Sequence, residues 1–436
     1  MSAPAGRRAA RIDRAQNLAI VLLTLSSVFL FASLPLFGPL SDQSLLTLAQ
    51  ERLRRESVAV ETASASAARL AFPVRMVYTN DFARLGADAL TTLSDEFERA
   101  GTYLGEAIGS ASEPVEISEN VFLAALGGEG LSFDFTTALP SEIFPELLGI
   151  DPPDAGPADL RRALLSPLDG ADAFLYVQSG AGRYYRYSTA VSSSALIDFL
   201  SSQSGISAEF AFRLGAAYSR LSPYTLVLSD PAPRGTLNAA NALPGGEETL
   251  LRRAGFNAHT ESRFVESSGT VIVREASSAL YLRPDGTVDY QGGDAAPDSL
   301  YFVPAAEPGA PSLAESAAAA QALVAALSQD FLGDAALYLS DIRAEEGRCE
   351  VSFDLMANGT PIRFSDGSHA AVVTVEGQCV TAFTLKARRY TLNDDAPLLL
   401  PFAQAAAIAS VWEGAELIVA YVDAGGETLA PVWIAE

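Results

Sequence analysis

Between Arg14 and Asp42 the chain carries no charge, and within that gap Leu18–Leu34 is an almost unbroken apolar run. A helix of about 20 apolar residues, rising ~1.5 Å each, crosses a hydrocarbon core of ~30 Å. Residues 17–37 are therefore expected to form one transmembrane helix, with Pro35 and Pro39 breaking it at the far side. Arg7, Arg8, Arg11 and Arg14, with Asp13, precede it, and acidic residues follow. The positive-inside rule then places residues 1–16 in the cytoplasm and the bulk of the chain outside a cell membrane spanned once. A cleaved signal peptide shares this order of arginines and apolar core. The run is longer than a signal core, and Leu34-Pro35 after Ala32-Ser33 makes a poor cleavage site, so the expectation is an uncleaved anchor. Leu22, Ser26, Ser27, Phe29 and Ala32 are the candidate contacts with a partner helix, the small ones allowing close approach.

Charge sorts the same way. The 436 residues carry −24, and residues 1–16 hold a local +3, which leaves −27 for the remainder. That acidity excludes nucleic acid, whose phosphates need a basic stripe. With 49% apolar residues the chain also has the surface to fold, unlike a disordered acidic tail. Two cysteines and two histidines exclude a disulfide scaffold and a Cys- or His-rich metal site, so no metal or cofactor is expected.

Residues 38–70 read as a juxtamembrane helix and linker, with Leu45, Leu46, Leu48 and Leu53 beside Arg52, Arg54 and Arg55, then low-complexity Ala63–Ala67. Residues 71–235 read as an α+β domain. Val74, Met76 and Tyr78 alternate as a strand, residues 81–108 read as a whole or broken helix, and residues 130–136 alternate again. Residues 238–305 read as one helix followed by a four-stranded meander, with Pro284-Asp-Gly286 as a hairpin turn. Residues 306–436 repeat that plan at larger size. Their first helix opens with Ser312 as cap and Glu315 at the third position, and Cys349, Val351, Phe353 and Leu355 alternate on one strand face.

Catalytic signatures are sparse. Ser365-Asp-Gly-Ser-His369 is the one cluster with serine, acid and histidine together, but these are also turn residues and no nucleophile elbow surrounds them. No catalytic residue is assigned. Cys349 and Cys379 fall on strands of one meander, where a disulfide and two buried thiols are equally open readings. Arg183-Tyr-Tyr-Arg-Tyr187 places Tyr185 and Tyr187 on one strand face and Tyr184 on the other. These tyrosines are either a recognition edge in the ectodomain or a half-buried strand.

Several stretches resemble the YycH/YycI family of membrane-anchored regulators from Gram-positive bacteria. They are the amino-terminal span, Leu131–Phe144, Gly255-Phe-Asn257 with the Gly269 hairpin, Leu282–Tyr290, Ala420–Asp423 and Leu429–Trp433. The resemblance implies an α+β fold: a single transmembrane helix, then extracytoplasmic tandem helix-plus-antiparallel-meander units of the PepSY or cystatin kind. It also implies a non-enzymatic regulator of a WalK/YycG-like two-component sensor histidine kinase. The partners would be that kinase, a paralogous single-span regulator, or both, reached by protein and transmembrane-helix contacts. The competing expectation is an anchored cell-envelope hydrolase or peptidase inhibitor, which requires convergent carboxylates or Ser368 and His369 inside a polar pocket.

Overall fold

Strand β1 (Pro73–Thr79) is buried at all seven positions, as expected of a strand covered on both faces. Val74, Met76 and Tyr78 point into one core while Val77 points into another. The computed structural model describes residues 70–436 except 82, 154–155, 230, 232, 293–300, 304, 306–309 and 346. The expected cytoplasmic tail, the helix 17–37 with Leu22, Ser26, Ser27, Phe29 and Ala32, and residues 38–69 lie outside the described residues. Among the described residues no helix is long and apolar enough to cross a membrane.

Around β1 the chain builds a nine-stranded sheet in the order β3-β7-β6-β5-β4-β1-β2-β8-β9. These strands are β2 (Arg84–Thr91), β3 (Val115–Ile117), β4 (Gly130–Pro140), β5 (Asp159–Ser166), β6 (Asp172–Gln178), β7 (Tyr184–Ser192), β8 (Ile206–Phe210) and β9 (Leu226–Leu228). Helix α1 (Asp95–Gly109) starts where the Ser94 hydroxyl accepts from the Phe97 amide. It buries Phe97, Ala100, Leu104 and Ile108 on one face of the sheet. Helix α2 (Glu119–Leu126) covers part of the other face with Phe122 and Leu126. The helix read over 81–108 is therefore β2 followed by α1. Pairing with both β1 and β8 overrides local helical spacing, and Gly86 permits it: a Cβ there would lie 2.9 Å from the Cβ of Ala208.

Two irregularities mark this sheet. The β1–β2 register jumps so that Asp88 and Ala89 together oppose Arg75, with Ala89 at φ 52°. The β4–β5 register jumps so that Phe135–Ala138 oppose Arg161. Bulges of this kind bend a strand and re-aim its side chains.

The remaining chain forms α3 (Phe144–Leu148), α4 (Ser193–Ser201), α5 (Glu247–Arg253), α6 (Leu313–Ser328), α7 (Phe402–Ala409) and a second, eleven-stranded sheet. The expected meander is present as β11 (Arg263–Val265), β12 (Val271–Glu275), β13 (Ser278–Leu282) and β14 (Thr287–Gln291), after β10 (Leu237–Asn241). It does not stand apart. Strand β14 pairs antiparallel with β19 (Cys379–Lys386), so the two helix-and-meander units share one sheet. Beyond β19 come β18 (Ala371–Glu376) and β16 (Arg348–Ala357), to which β15 (Ala335–Glu345) adds a branch. The row ends with β17 (Thr360–Phe364), β21 (Leu417–Asp423) and β23 (Pro431–Ala435). Strands β20 (Arg388–Leu392), β10 and β22 (Thr428–Leu429) make a third, small sheet. Helix α6 carries the expected capping box between Ser312 and Glu315 and buries its alanine face. The fold is mixed helix and sheet, α+β.

Candidate functional site

Alternation on β1 that sends Val74, Met76 and Tyr78 inward leaves Arg75 on the opposite face. Direct cross-strand partners extend that position into a row: Arg75 opposite Asp134 on β4, Asp134 opposite Arg162 on β5, Arg162 opposite Gln178 on β6, and Gln178 opposite Tyr184 on β7. The row is hydrogen-bonded along its length. Arg75 Nη2 donates to Asp134 Oδ2 at 2.7 Å, Arg162 Nε to the same oxygen at 3.1 Å, and Arg162 Nη1 to Gln178 Oε1 at 2.7 Å. Gln178 Nε2 donates to the Tyr184 hydroxyl at 3.3 Å, and Tyr184 and Tyr224 both donate to Glu119 at 3.0 Å.

Glu416, just ahead of β21, reaches this row from the other sheet. Its carboxylate pairs with Arg75, with Arg162 Nη2 at 2.6 Å and with Arg161 Nη2 at 3.4 Å. Arg161 also pairs with Asp134. The inner cluster therefore holds three guanidinium groups and two carboxylates, all largely buried. Burial alone would push the Glu416 carboxyl up, but Arg75, Arg162 and Arg161 overcome it and hold it at about 2. Arg161 is driven down to about 9, first by desolvation and then by Arg162, its like-charged neighbour. Arg162 also lies 4.3 Å from the centre of the Tyr224 ring. One atom is left out: Arg75 Nε is buried with no hydrogen-bond partner.

Beside Arg75 lies a cavity of about 280 Å³. Arg75, Asp88 and Arg234 supply its charges, and Leu228, Leu400 and Trp433 are among its apolar walls. A second groove of about 270 Å³ shares Leu399, Leu400, Leu417 and Trp433 with the first, which makes those residues a common wall. The Trp433 indole N–H holds that wall by donating to the Leu400 carbonyl at 2.8 Å.

The second groove opens onto an apolar platform. Helix α7 buries Ala405, Ala406 and Ala409 against Leu221 and Leu417. Its outer face and the turn after it present Ile408, Val411 and Trp412 to solvent, at 58%, 70% and 59% exposure, next to Leu398 and Leu400. No charge occurs from Ala396 to Trp412.

The crystal structure of YycH from Bacillus subtilis is similar to this chain, with a TM-score of 0.49, 12% identity, and 85% of this chain and 94% of that one covered. No protein-family model matches the chain, and no curated protein matches it.

The residues singled out from sequence take other places. Tyr187 is 2% exposed and belongs to the core, while Tyr184 and Tyr185 are half-buried, Tyr184 in the polar row. Strand β7 is flanked by β3 and β6, so Tyr184 and Tyr185 lie on an interior strand of the sheet. Cys349 and Cys379 are buried thiols on β16 and β19 with β18 between them, and they are not bonded to each other. Burial pushes the Cys349 thiol up to about 11. In the Ser365–His369 turn, the Ser368 hydroxyl donates to Asp366 at 2.6 Å. His369 instead turns Nδ1 to Asp354 at 2.9 Å and to the Ser340 hydroxyl at 3.4 Å. A proton relay needs serine and carboxylate on opposite ring nitrogens, and here both face one. Among the described residues no cluster of three or more His, Cys, Asp or Glu is placed to hold a metal ion.

Proposed function

We propose that the protein is a membrane-anchored regulator whose extracytoplasmic part acts by protein contact on a sensor histidine kinase, with the helix at 17–37 as a second contact inside the bilayer. The apolar platform at Leu398–Trp412 is the observation that carries it. A solvated surface helix ordinarily turns polar residues outward, whereas α7 turns Ile408 outward and is followed by exposed Val411 and Trp412. A contiguous apolar patch on an otherwise acidic surface is the signature of a docking site. The kinase as partner is supported by the segments that resemble the YycH/YycI family, and the anchor by the charge-free run with arginines on one side. A paralogous single-span regulator would seat on the same platform.

The test is a full-length I408E/W412E variant expressed with the kinase. Both side chains are exposed, so the variant is expected to fold as the parent does, within about 0.5 kcal/mol per substitution. Kinase output is expected to lose its dependence on this chain. Unchanged modulation by the folded double variant would overturn the platform as the contact. Exchanging residues 17–37 for an unrelated apolar helix tests the bilayer contact separately, and an unchanged output there would remove it.

A further inference from the structure

The cavity beside Arg75 is built for a particular kind of guest, independently of the kinase reading. Arg75 lines it, and behind Arg75 stands the rest of the inner cluster, where three guanidinium groups share two carboxylates. The neighbouring acids are already engaged: Asp88 faces Arg234 at 3.5 Å, and Glu436 pairs with Arg363 at 2.8 Å. Arg75 is 7% exposed, both of its ion pairs run through Nη2, and its Nε has no acceptor. A buried donor without a partner and a buried charge without a counter-charge are both destabilising. A single anion in the cavity answers the excess charge, although the Arg75 Nε itself is closed off from it.

The walls narrow the chemistry further. Leu228, Leu400 and Trp433 leave few groups to solvate a dianion, and the planar guanidinium fork matches a carboxylate. The volume of about 280 Å³ corresponds to about nine water-sized volumes of ~30 Å³, or an apolar body of about eight carbons. The bulge that sets Asp88 and Ala89 opposite Arg75 lies at this spot in the sheet, as bulges do where a strand serves a ligand. We propose that this cavity binds an apolar-bodied monocarboxylate, its head on Arg75 and Arg234 and its body against Leu228, Leu400 and Trp433. An acyl chain and the carboxyl end of an apolar peptide both present that chemistry.

Trp433 is one of two tryptophans and lines both this cavity and the second groove, so the emission of the full-length W412F chain in lipid nanodiscs reports on both, and the arginine variants assign a signal to the cavity. Octanoate and N-acetyl-leucyl-leucine are titrated as the two carboxylate sources, with 1-octanol as the uncharged control. Saturable change in Trp433 emission with either carboxylate is expected, and the stronger of the two identifies the source. Placing R75Q or R234Q in that chain is expected to raise the apparent Kd at least tenfold. Arg234 stands outside the inner cluster, so R234Q keeps the test intact if R75Q folds poorly. The proposal is overturned by no saturable change with either carboxylate in the folded chain, by octanol titrating like octanoate, or by a folded R234Q chain that titrates like its parent.

Discussion

Two buried ion clusters tie strands of this molecule together, and they are built on opposite principles. Arg388 of the small sheet meets Asp423 of β21 as a two-pronged pair, Nε and Nη2 each at 3.0 Å from a carboxylate oxygen. Asp423 also accepts from the Tyr390 hydroxyl at 2.7 Å and the Gly425 amide at 2.8 Å. The charges cancel and both carboxylate oxygens are engaged, so nothing there calls for a guest. The Arg75 cluster has one cation too many, a donor without an acceptor and a cavity at its side. Burial and hydrogen bonding are common to both. Balance is what separates a structural lock from a site, because an uncompensated charge persists only where something else answers it.

The comparison breaks first at its strongest point. Asp423→Asn leaves Arg388 buried against a neutral partner, and a loss of about 3–5 kcal/mol is expected, read from chemical denaturation. In the unbalanced cluster the direction depends on which sign is removed. Glu416→Gln raises the excess and is expected to cost about 3 kcal/mol, whereas Arg161→Gln restores two against two and is expected to cost under ~1 kcal/mol. Equal losses for these two variants would mean that charge balance is not what distinguishes the clusters.

Acid titration sharpens the same point with a smaller effect. The folded Glu416 carboxyl is held at about 2, below its ordinary value near 4.3. Its contribution is complete above the ordinary value and disappears as pH falls toward about 2. The Glu416→Gln chain should therefore show a flatter acid limb in its stability profile than the parent. A smaller effect is expected on the alkaline side. His369 is raised by its hydrogen bond to Asp354, with Asp341 adding to that and Arg343 opposing. A raised histidine contributes fully below its unfolded value near 6.5 and loses that contribution as pH rises through the folded value. His369→Gln should remove that decline, and a parent profile flat from pH 6 to 9 would contradict it.

Local chemistry was readable wherever it was local. The Pro284-Asp-Gly286 turn and the Ser312–Glu315 capping box lie where residue order put them, because a turn or a cap is settled by three or four neighbours. The Arg75 cluster was not readable, since Asp134 lies 59 residues from Arg75 and Glu416 lies 341 away. The one signal was Arg75 itself, a lone charge inside an apolar strand. Strand β2 departs from its sequence pattern for a related reason: its identity comes from β1 and β8, while its own spacing reads as the start of a helix. The charge-free Ala396–Trp412 run is visible in the sequence. That its outer face is left uncovered emerges only when Ala405 and Ala409 are seen to take the buried side.

The position of β1 has a mechanical consequence. It is the first strand after residue 70, yet it lies in the middle of its sheet, bonded antiparallel to β4 on one side and β2 on the other. Tension along the backbone ahead of Leu70 is delivered lengthwise into β1, where cross-strand bonds perpendicular to the pull share the load in shear. Slippage by one residue would turn every side chain of β1 to the other face, taking Arg75 away from Asp134. A tug ahead of Leu70 thus bears on the Arg75 cluster through a single strand.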